Sequence, residues 1–144
     1  MSRLLGDNWL LPGTDALTQR FFSAGRLVFQ ACARCAHVQH PPTDVCAACQ
    51  SFEFSERESQ GLGRVVSRIV VHHAVHPDLR GRTPYAVVLV TLDDVPGVRV
   101  IGNVLNVAPE RVAIGQRVRV CFEEAKDPKS GELLRIPQWE VLDA

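Results

Sequence analysis

Cys32-Ala33-Arg34-Cys35 and Cys46-Ala47-Ala48-Cys49, two knuckles of the same CxxC form with ten residues between them, decide how this chain is read. Two residues between thiolates let one turn of backbone set both sulfurs on one metal ion, and the ten-residue return lets a second turn complete a tetrahedron. The spacing predicts a structural zinc site at Cys32, Cys35, Cys46 and Cys49 and a zinc ribbon around it. Four protein thiolates leave the ion no open position at which to activate water, so the metal is expected to build and not to react. The same ligand type also suits rubredoxin-like iron, and a CxxC pair can be a redox dithiol, although that use goes with a βαβ context. His37 and His40 fall inside the ribbon; with four cysteines already at ligand spacing, they read as solvated loop residues.

At 144 residues the chain has the length of one domain, or of a core domain with a small appendage. A unit the size of the ribbon cannot stand on a hydrophobic core alone, since below ~40 residues a staple is usually needed. Structural zinc contributes ~10–16 kcal/mol, comparable to the whole net stability of a domain at ~5–15 kcal/mol, so metal loss should unfold the ribbon. Formal net charge is zero, with 14 Arg and only 2 Lys, Lys126 and Lys129. Ribbons that bind nucleic acid belong to clearly basic domains, because phosphate neutralisation supplies most of the affinity, and that footprint is missing. Residues 1–16 show no leader pattern, and the longest apolar run, Ala86 to Val90, is far below the ~20 residues of a membrane helix. Cysteines in metal spacing point to a reducing compartment, so the expectation is a cytoplasmic protein without a membrane partner.

Around the knuckles the periodicity changes twice. Upstream, Thr14 is placed to cap a helix with Leu17, Phe21 and Ala24 on one face and Gly25 as its stop. The lead-in Leu4, Leu5, Trp9, Leu10 and Leu11 is apolar enough either to fold back on its own domain or to pack on a partner. Downstream, β-branched runs bounded by turn residues predict strands at Arg64–Val71, Tyr85–Leu92, Val98–Val104, Gln116–Glu123 and Ile136–Leu142, with one turn of helix at Pro109 to Val112. Five short strands with one long connection suit an OB-type barrel. The chain thus reads as mainly β: an N-terminal helical segment (1–25), the zinc ribbon (26–58) and a five-stranded OB-fold domain (59–144).

Gly25-Arg26-Leu27, Gln30, the two knuckles, Pro41-Pro42 between them, Gly61 and Gly63, Pro84-Tyr85 leading into Val87 to Leu92, and Ile114-Gly115 before Val118 to Phe122 carry a resemblance. In these residues the chain resembles the acyl-CoA-associated zinc-ribbon and OB-fold proteins catalogued as domain-of-unknown-function family thirty-five. The resemblance covers most of the chain from residue 25 onward. It implies a rubredoxin-like ribbon, an OB barrel used for protein and acyl-CoA contact, and a non-catalytic accessory role in lipid or steroid metabolism. The implied partner is a thiolase-superfamily enzyme, a thiolase or retro-aldolase acting on acyl-CoA, in a heterotetramer of two copies each and in some members with a hydratase. The chain would help to hold or channel the acyl-CoA. It departs from the family at Ala36 and Gln50, where glycine commonly follows the second and fourth cysteines, so a left-handed backbone there would carry modest strain. His40 stands where an aromatic residue is frequent.

No G-x-S-x-G elbow, Walker loop or recognisable Cys-His pair is present, so catalysis by this chain alone is not expected. Cys121 is left over, on a strand beside Arg117 and Arg119, where it reads either as a favoured thiolate or as a small hydrophobe. The long connection His72 to Pro84 is the best functional loop, since its arginines Arg80 and Arg82 fit the phosphates of coenzyme A in bidentate fashion. His76, Arg80, Arg82, Tyr85, Arg117 and Arg119 are therefore the candidate acyl-CoA or partner contacts. Two rival classes remain: a nucleic-acid-binding ribbon and OB module, which needs a cationic groove with stacking aromatics, and a rubredoxin-like electron carrier, which colour in the purified protein would expose.

Overall fold

A computed structural model describes residues 4–6 and 11–143. The ribbon is a three-stranded antiparallel sheet in the order β2-β1-β3, with β1 at Leu27–Cys32, β2 at Val38–Gln39 and β3 at Phe54–Ser59. β1 is the central strand and is covered on both faces, which its run of Leu27, Val28 and Phe29 already required. The expected barrel follows as β4 (Leu62–Val71), β5 (Tyr85–Leu92), β6 (Arg99–Asn103), β7 (Arg117–Lys126) and β8 (Leu133–Val141), in the order β6-β5-β4-β7-β8. A parallel bridge from Val104 to Trp139 and the Leu105 N–H donating to the Trp139 carbonyl at 3.0 Å join the two outer strands.

The long strand β4 serves two neighbours. It pairs with β7 through Leu62–Arg64 and with β5 along its whole length, and a register shift between Val65 and Ser67 bends it from one neighbour toward the other. Gly63 is needed there because a Cβ would drive into the Thr91 carbonyl oxygen across the β4–β5 pair. On β5, Ala86, Val88, Val90 and Leu92 alternate inward, as a half-buried strand must. They meet Val100, Val118 and the fully buried Trp139. The same apolar cluster continues through Phe21, Leu27 and Phe29, so helix, ribbon and barrel share one core.

The N-terminal helix is shorter than its apolar spacing predicts. α1 covers only Gln19–Ser23, with Thr18 rather than Thr14 at its N-cap; before it, Asp15 Oδ1 accepts the N–H groups of Leu17 (2.9 Å) and Thr18 (2.8 Å). These bonds fix residues 16–18 as a turn and hold the Asp15 carboxyl below its ordinary value, with the Thr18 N–H as the largest cause. Gly25, at φ +71°, ends the helix as expected. β7 and β8 run past their expected ends because the Asp127–Gly131 turn closes them into a hairpin, with Gly131 N–H on the Asp127 carbonyl at 2.8 Å and Ser130 Oγ on its carboxylate at 2.9 Å. The one turn expected near Pro109 is a 3-10 turn at Pro109–Arg111.

Candidate metal centre and the barrel face beside it

The two knuckles are built alike. In the first, Cys32 N–H donates to the His37 carbonyl (2.8 Å) and Ala36 N–H to the Cys32 carbonyl (3.0 Å); in the second, Cys46 N–H bonds Ser51 O (2.9 Å) and Gln50 N–H bonds Cys46 O (2.9 Å). The left-handed turns predicted after the second and fourth cysteines are present without glycine, at Ala36 (φ 65°) and Gln50 (φ 61°). All four Sγ atoms lie within 4.8 Å of one another, with Cys32–Cys49 and Cys35–Cys46 each at 3.6 Å. Four sulfurs tetrahedral about one zinc at ~2.3 Å stand about 3.8 Å apart, so the set fits one ion, whereas a disulfide needs ~2.05 Å. The N–H groups of Arg34 and Cys35 both point at Cys32 Sγ at 3.4 Å. The Cys35 N–H is the largest cause drawing the Cys32 thiol down to about 6. At Cys35 the His37 N–H acts in the same direction, but burial and the crowding sulfurs of Cys49, Cys46 and Cys32 push the thiol up to about 12. Four thiolates this close ionise together only around a cation.

His40 is not the solvated residue its position suggested. Its ring packs 4.5 Å from Phe21 and 5.3 Å from Phe29, centroid to centroid, and burial lowers its pKa below the ordinary 6.5. It performs the aromatic role expected at that position. His37 is exposed.

The six candidate contact residues do not form one site. His76, Arg80, Arg82 and Tyr85 belong to the connection after β4 and the start of β5, whereas Arg117 and Arg119 pair with Arg64 and Leu62 at the opposite end of β4. The seven steps along the strand from Arg64 to Val71 separate the two groups by roughly 23 Å. Several already have structural work. His76 Nδ1 accepts the Asp78 N–H (3.2 Å) and caps the 3-10 turn Pro77–Leu79. Arg82 Nη1 donates to the Leu4 carbonyl at 2.6 Å, and Arg117 Nη1 lies 2.7 Å from Asp93 Oδ2. Arg80 and Arg119 are exposed cations. Cys121 is half-buried, and burial first, then Glu140 and Glu123, push its thiol up to about 12, which favours the reading of a small hydrophobe over that of a thiolate.

Two features escaped sequence reasoning. The first is a polar latch under the N-terminus. Glu123 is 3% exposed; its Oε1 accepts the N–H groups of Leu4 (2.7 Å) and Leu5 (3.2 Å), and its Oε2 accepts Gln138 Nε2 (2.7 Å). Gln138 also receives the Asn103 N–H at 2.6 Å. Leu5 is buried by this latch, so this part of the apolar lead-in folds back on its own barrel; Trp9 and Leu10 lie outside the described residues. The second is a cavity of about 680 Å³ beside the latch, between α1, the His40–Pro42 turn and the outer face of β5, β6 and β8. Phe22, Val87, Ile101 and Ile136 are among its walls, with Leu5 at one side and Tyr85 at another. Glu123 falls in the polar half of the alternation, with Arg117 and Arg119 opposite Val118, Val120 and Phe122, so nothing local in the sequence marked this outer face as covered.

Comparison with known proteins divides the chain between residues 55 and 56, inside β3. Residues 23–55 match the family described as ChsH2, rubredoxin-like zinc ribbon domain, and residues 56–123 match ChsH2, C-terminal OB-fold domain. A DUF35 domain-containing scaffold protein of Methanocaldococcus jannaschii is 31% identical over 125 residues, covering 86% of this chain and 84% of that protein. A probable enoyl-CoA hydratase alpha subunit of Thermomonospora curvata is 41% identical over 104 residues; the match spans 72% of this chain but only 31% of the length of that subunit. The solved chain named Ltp2-ChsH2(DUF35) aldolase superposes with a TM-score of 0.77 at 36% identity, over 91% of this chain and 98% of that one. With the likeness running through both knuckles and both sheets, this chain belongs to the DUF35 family, in its ChsH2 form of a rubredoxin-like zinc ribbon followed by an OB-fold.

Proposed function

We propose that this chain is a non-catalytic subunit of an acyl-CoA enzyme complex: it holds one structural zinc through Cys32, Cys35, Cys46 and Cys49, docks on a thiolase-superfamily aldolase or thiolase, and helps to bind or channel the acyl-CoA. The observation that carries the reading is the likeness to the ChsH2(DUF35) chain over 98% of that chain's length, since that chain is named as part of an aldolase. The hydratase alpha subunit relative supports a hydratase as a further member of the assembly. Carbon-carbon bond chemistry would reside in the partner's own residues. This fits a chain whose four clustered cysteines would be consumed as zinc ligands and whose fifth has its thiol pushed up to about 12.

Within this assignment the two ends of β4 take different tasks. Arg80, exposed in the loop before β5, meets the phosphates of coenzyme A, with Tyr85 nearby at the start of the strand and His76 and Arg82 holding the loop and the N-terminus in place. Arg117 and Arg119, at the far end, face the partner protein. Co-expression with the thiolase-superfamily candidate followed by size-exclusion chromatography and elemental analysis tests the reading. A heterotetramer of two copies of each chain with one zinc per copy of this chain is expected. A chain that never co-elutes, or that carries iron in place of zinc, would contradict it.

A further inference from the structure

We propose that the open edge of β4, residues 66–71, is a docking site for an acidic, extended segment of a partner protein, which adds there as a further strand. β4 has β5 along its whole length on one side, but on the other side β7 reaches it only through Leu62–Arg64. The chain just before β7 closes the next step: the Val65 N–H donates to the Gln116 carbonyl (3.1 Å), and the Val65 carbonyl accepts the Gly115 N–H (2.8 Å). From residue 66 to residue 71 no strand among those described lies on that side. On an outer strand every second residue turns its N–H and C=O away from its one neighbour, so about 20 Å of strand edge, at ~3.3 Å per residue, offers main-chain donors and acceptors outward.

Val66, Ser67, Arg68 and Ile69 are exposed in succession, so both faces of the strand are uncovered beside this edge. Ile69 is 60% exposed, and Ile114, next to the Gly115 that ends the paired stretch, is 68% exposed. An added strand covers such side chains while its main chain satisfies the edge. Charge selects the occupant. The whole chain has 16 basic and 16 acidic residues, yet residues 64–92 hold Arg64, Arg68, Arg80 and Arg82 against Asp78 alone, a formal charge of +3 from four arginines less one aspartate. Arg64 and Arg82 donate to the main-chain carbonyls of Gly115 and Leu4, which carry no compensating charge, and Arg68 has no ion pair or hydrogen bond among the described residues. Pairing this edge with the same edge of a second copy would set these cations against one another, whereas an acidic strand meets them with opposite charge. Arg68 thus repels a like strand and attracts an acidic one.

That the strand belongs to the acyl-CoA enzyme rests on the function proposed above; the preference of the edge for an acidic strand does not. Fluorescence anisotropy of the isolated full chain with a terminally blocked hexapeptide of alternating glutamate and valine, and with its lysine-valine counterpart, reads that preference. The acidic peptide is expected to bind about tenfold or more tighter than the basic one, to weaken as salt is raised, and to slow hydrogen exchange at amides within residues 66–71. Arg68→Glu should weaken it about tenfold or more and, because the Arg68 side chain is exposed, keep the parent melting temperature, which separates loss of the site from loss of the fold. Methylating the peptide amides of the glutamates, or those of the valines, keeps the charge and blocks one edge of the peptide, so one of the two forms should lose about tenfold or more in affinity. Two methylated forms that both bind like the unmethylated peptide would overturn strand addition. Binding of neither unmethylated peptide, or of both alike, would overturn the site. Protection of residues 66–71 that rises with chain concentration in the absence of peptide would give the edge to a second copy and overturn the acidic occupant. Failure of the chain to co-elute with an aldolase or thiolase would contradict the proposed function and leave the peptide results standing, so the two readings fail separately.

Discussion

Removing the Glu123 side chain should unlatch the N-terminus and cost a large share of the stability. In Glu123→Ala three donors lose their acceptor at once: the Leu4 and Leu5 N–H groups and Gln138 Nε2. The two backbone groups can recover water only if the segment lifts off, and that exposes Leu5, whose burial contributes ~1.5–3 kcal/mol. Gln138 is 1% exposed and cannot follow; its Nε2 keeps Asn103 Oδ1 as an acceptor, but its second buried N–H is left unpaired, which costs ~1–3 kcal/mol. Together the loss is roughly 2.5–6 kcal/mol, which for a chain of this size lowers the melting temperature by about 5–24 °C. Glu123→Gln keeps the volume and one acceptor oxygen, so it should cost clearly less. Differential scanning calorimetry measures the loss, and hydrogen exchange at the Leu4 and Leu5 amides reports whether the latch has opened. A Glu123→Ala protein that melts within about 2 °C of the parent, or whose two amides stay protected, would refute the latch.

Other consequences follow from single contacts. A Cβ at Gly102 would sit 2.9 Å from Trp139 Cδ1 and Nε1, so Gly102→Ala should destabilise by ~1–3 kcal/mol in urea titration, with the Trp139 fluorescence changed. His40 is neutral by burial and its folded pKa lies below 6.5; the unfolded chain therefore binds more protons as pH falls, and stability should decline as pH drops from about 6.5 toward the lowered value. His40→Phe keeps the ring packing on Phe21 and Phe29 and should remove that part of the slope, leaving only whatever acid does to the metal centre. Arg80→Ala should raise KM for acyl-CoA in the assembled enzyme with kcat little changed and the melting temperature unaltered; Arg82→Ala should also loosen the N-terminus, because its guanidinium holds the Leu4 carbonyl.

What could be read from the sequence was what depends on neighbours along the chain. The CxxC spacing places its sulfurs within one turn, so the cluster of four cysteines was legible residue by residue, while the left-handed backbone at Ala36 and Gln50 was implied by the family resemblance. The strands were legible because their β-branched runs are bounded by turn residues, although β4 and β8 begin earlier than expected, at Leu62 and Leu133, where pairing partners decide the ends. The latch was not legible, since Glu123 meets Leu4 across 119 positions and neither residue carries a local sign of it. Arg82 reads as a surface arginine for the same reason. His40 looked solvated because nothing near it in sequence is aromatic; Phe21 and Phe29 reach it only through the fold. The helix was overextended because apolar spacing from Leu17 outweighed the Asp15 turn, whose side chain bonds its own backbone first.

The most direct test of the accessory role is turnover by the separated and recombined chains. Acyl-CoA cleavage should be absent with this chain alone, weak or absent with the thiolase-superfamily partner alone, and restored when the two are mixed at equal concentrations. Turnover by this chain alone that persists after purification to homogeneity, or full activity of the partner without it, would contradict the role proposed here.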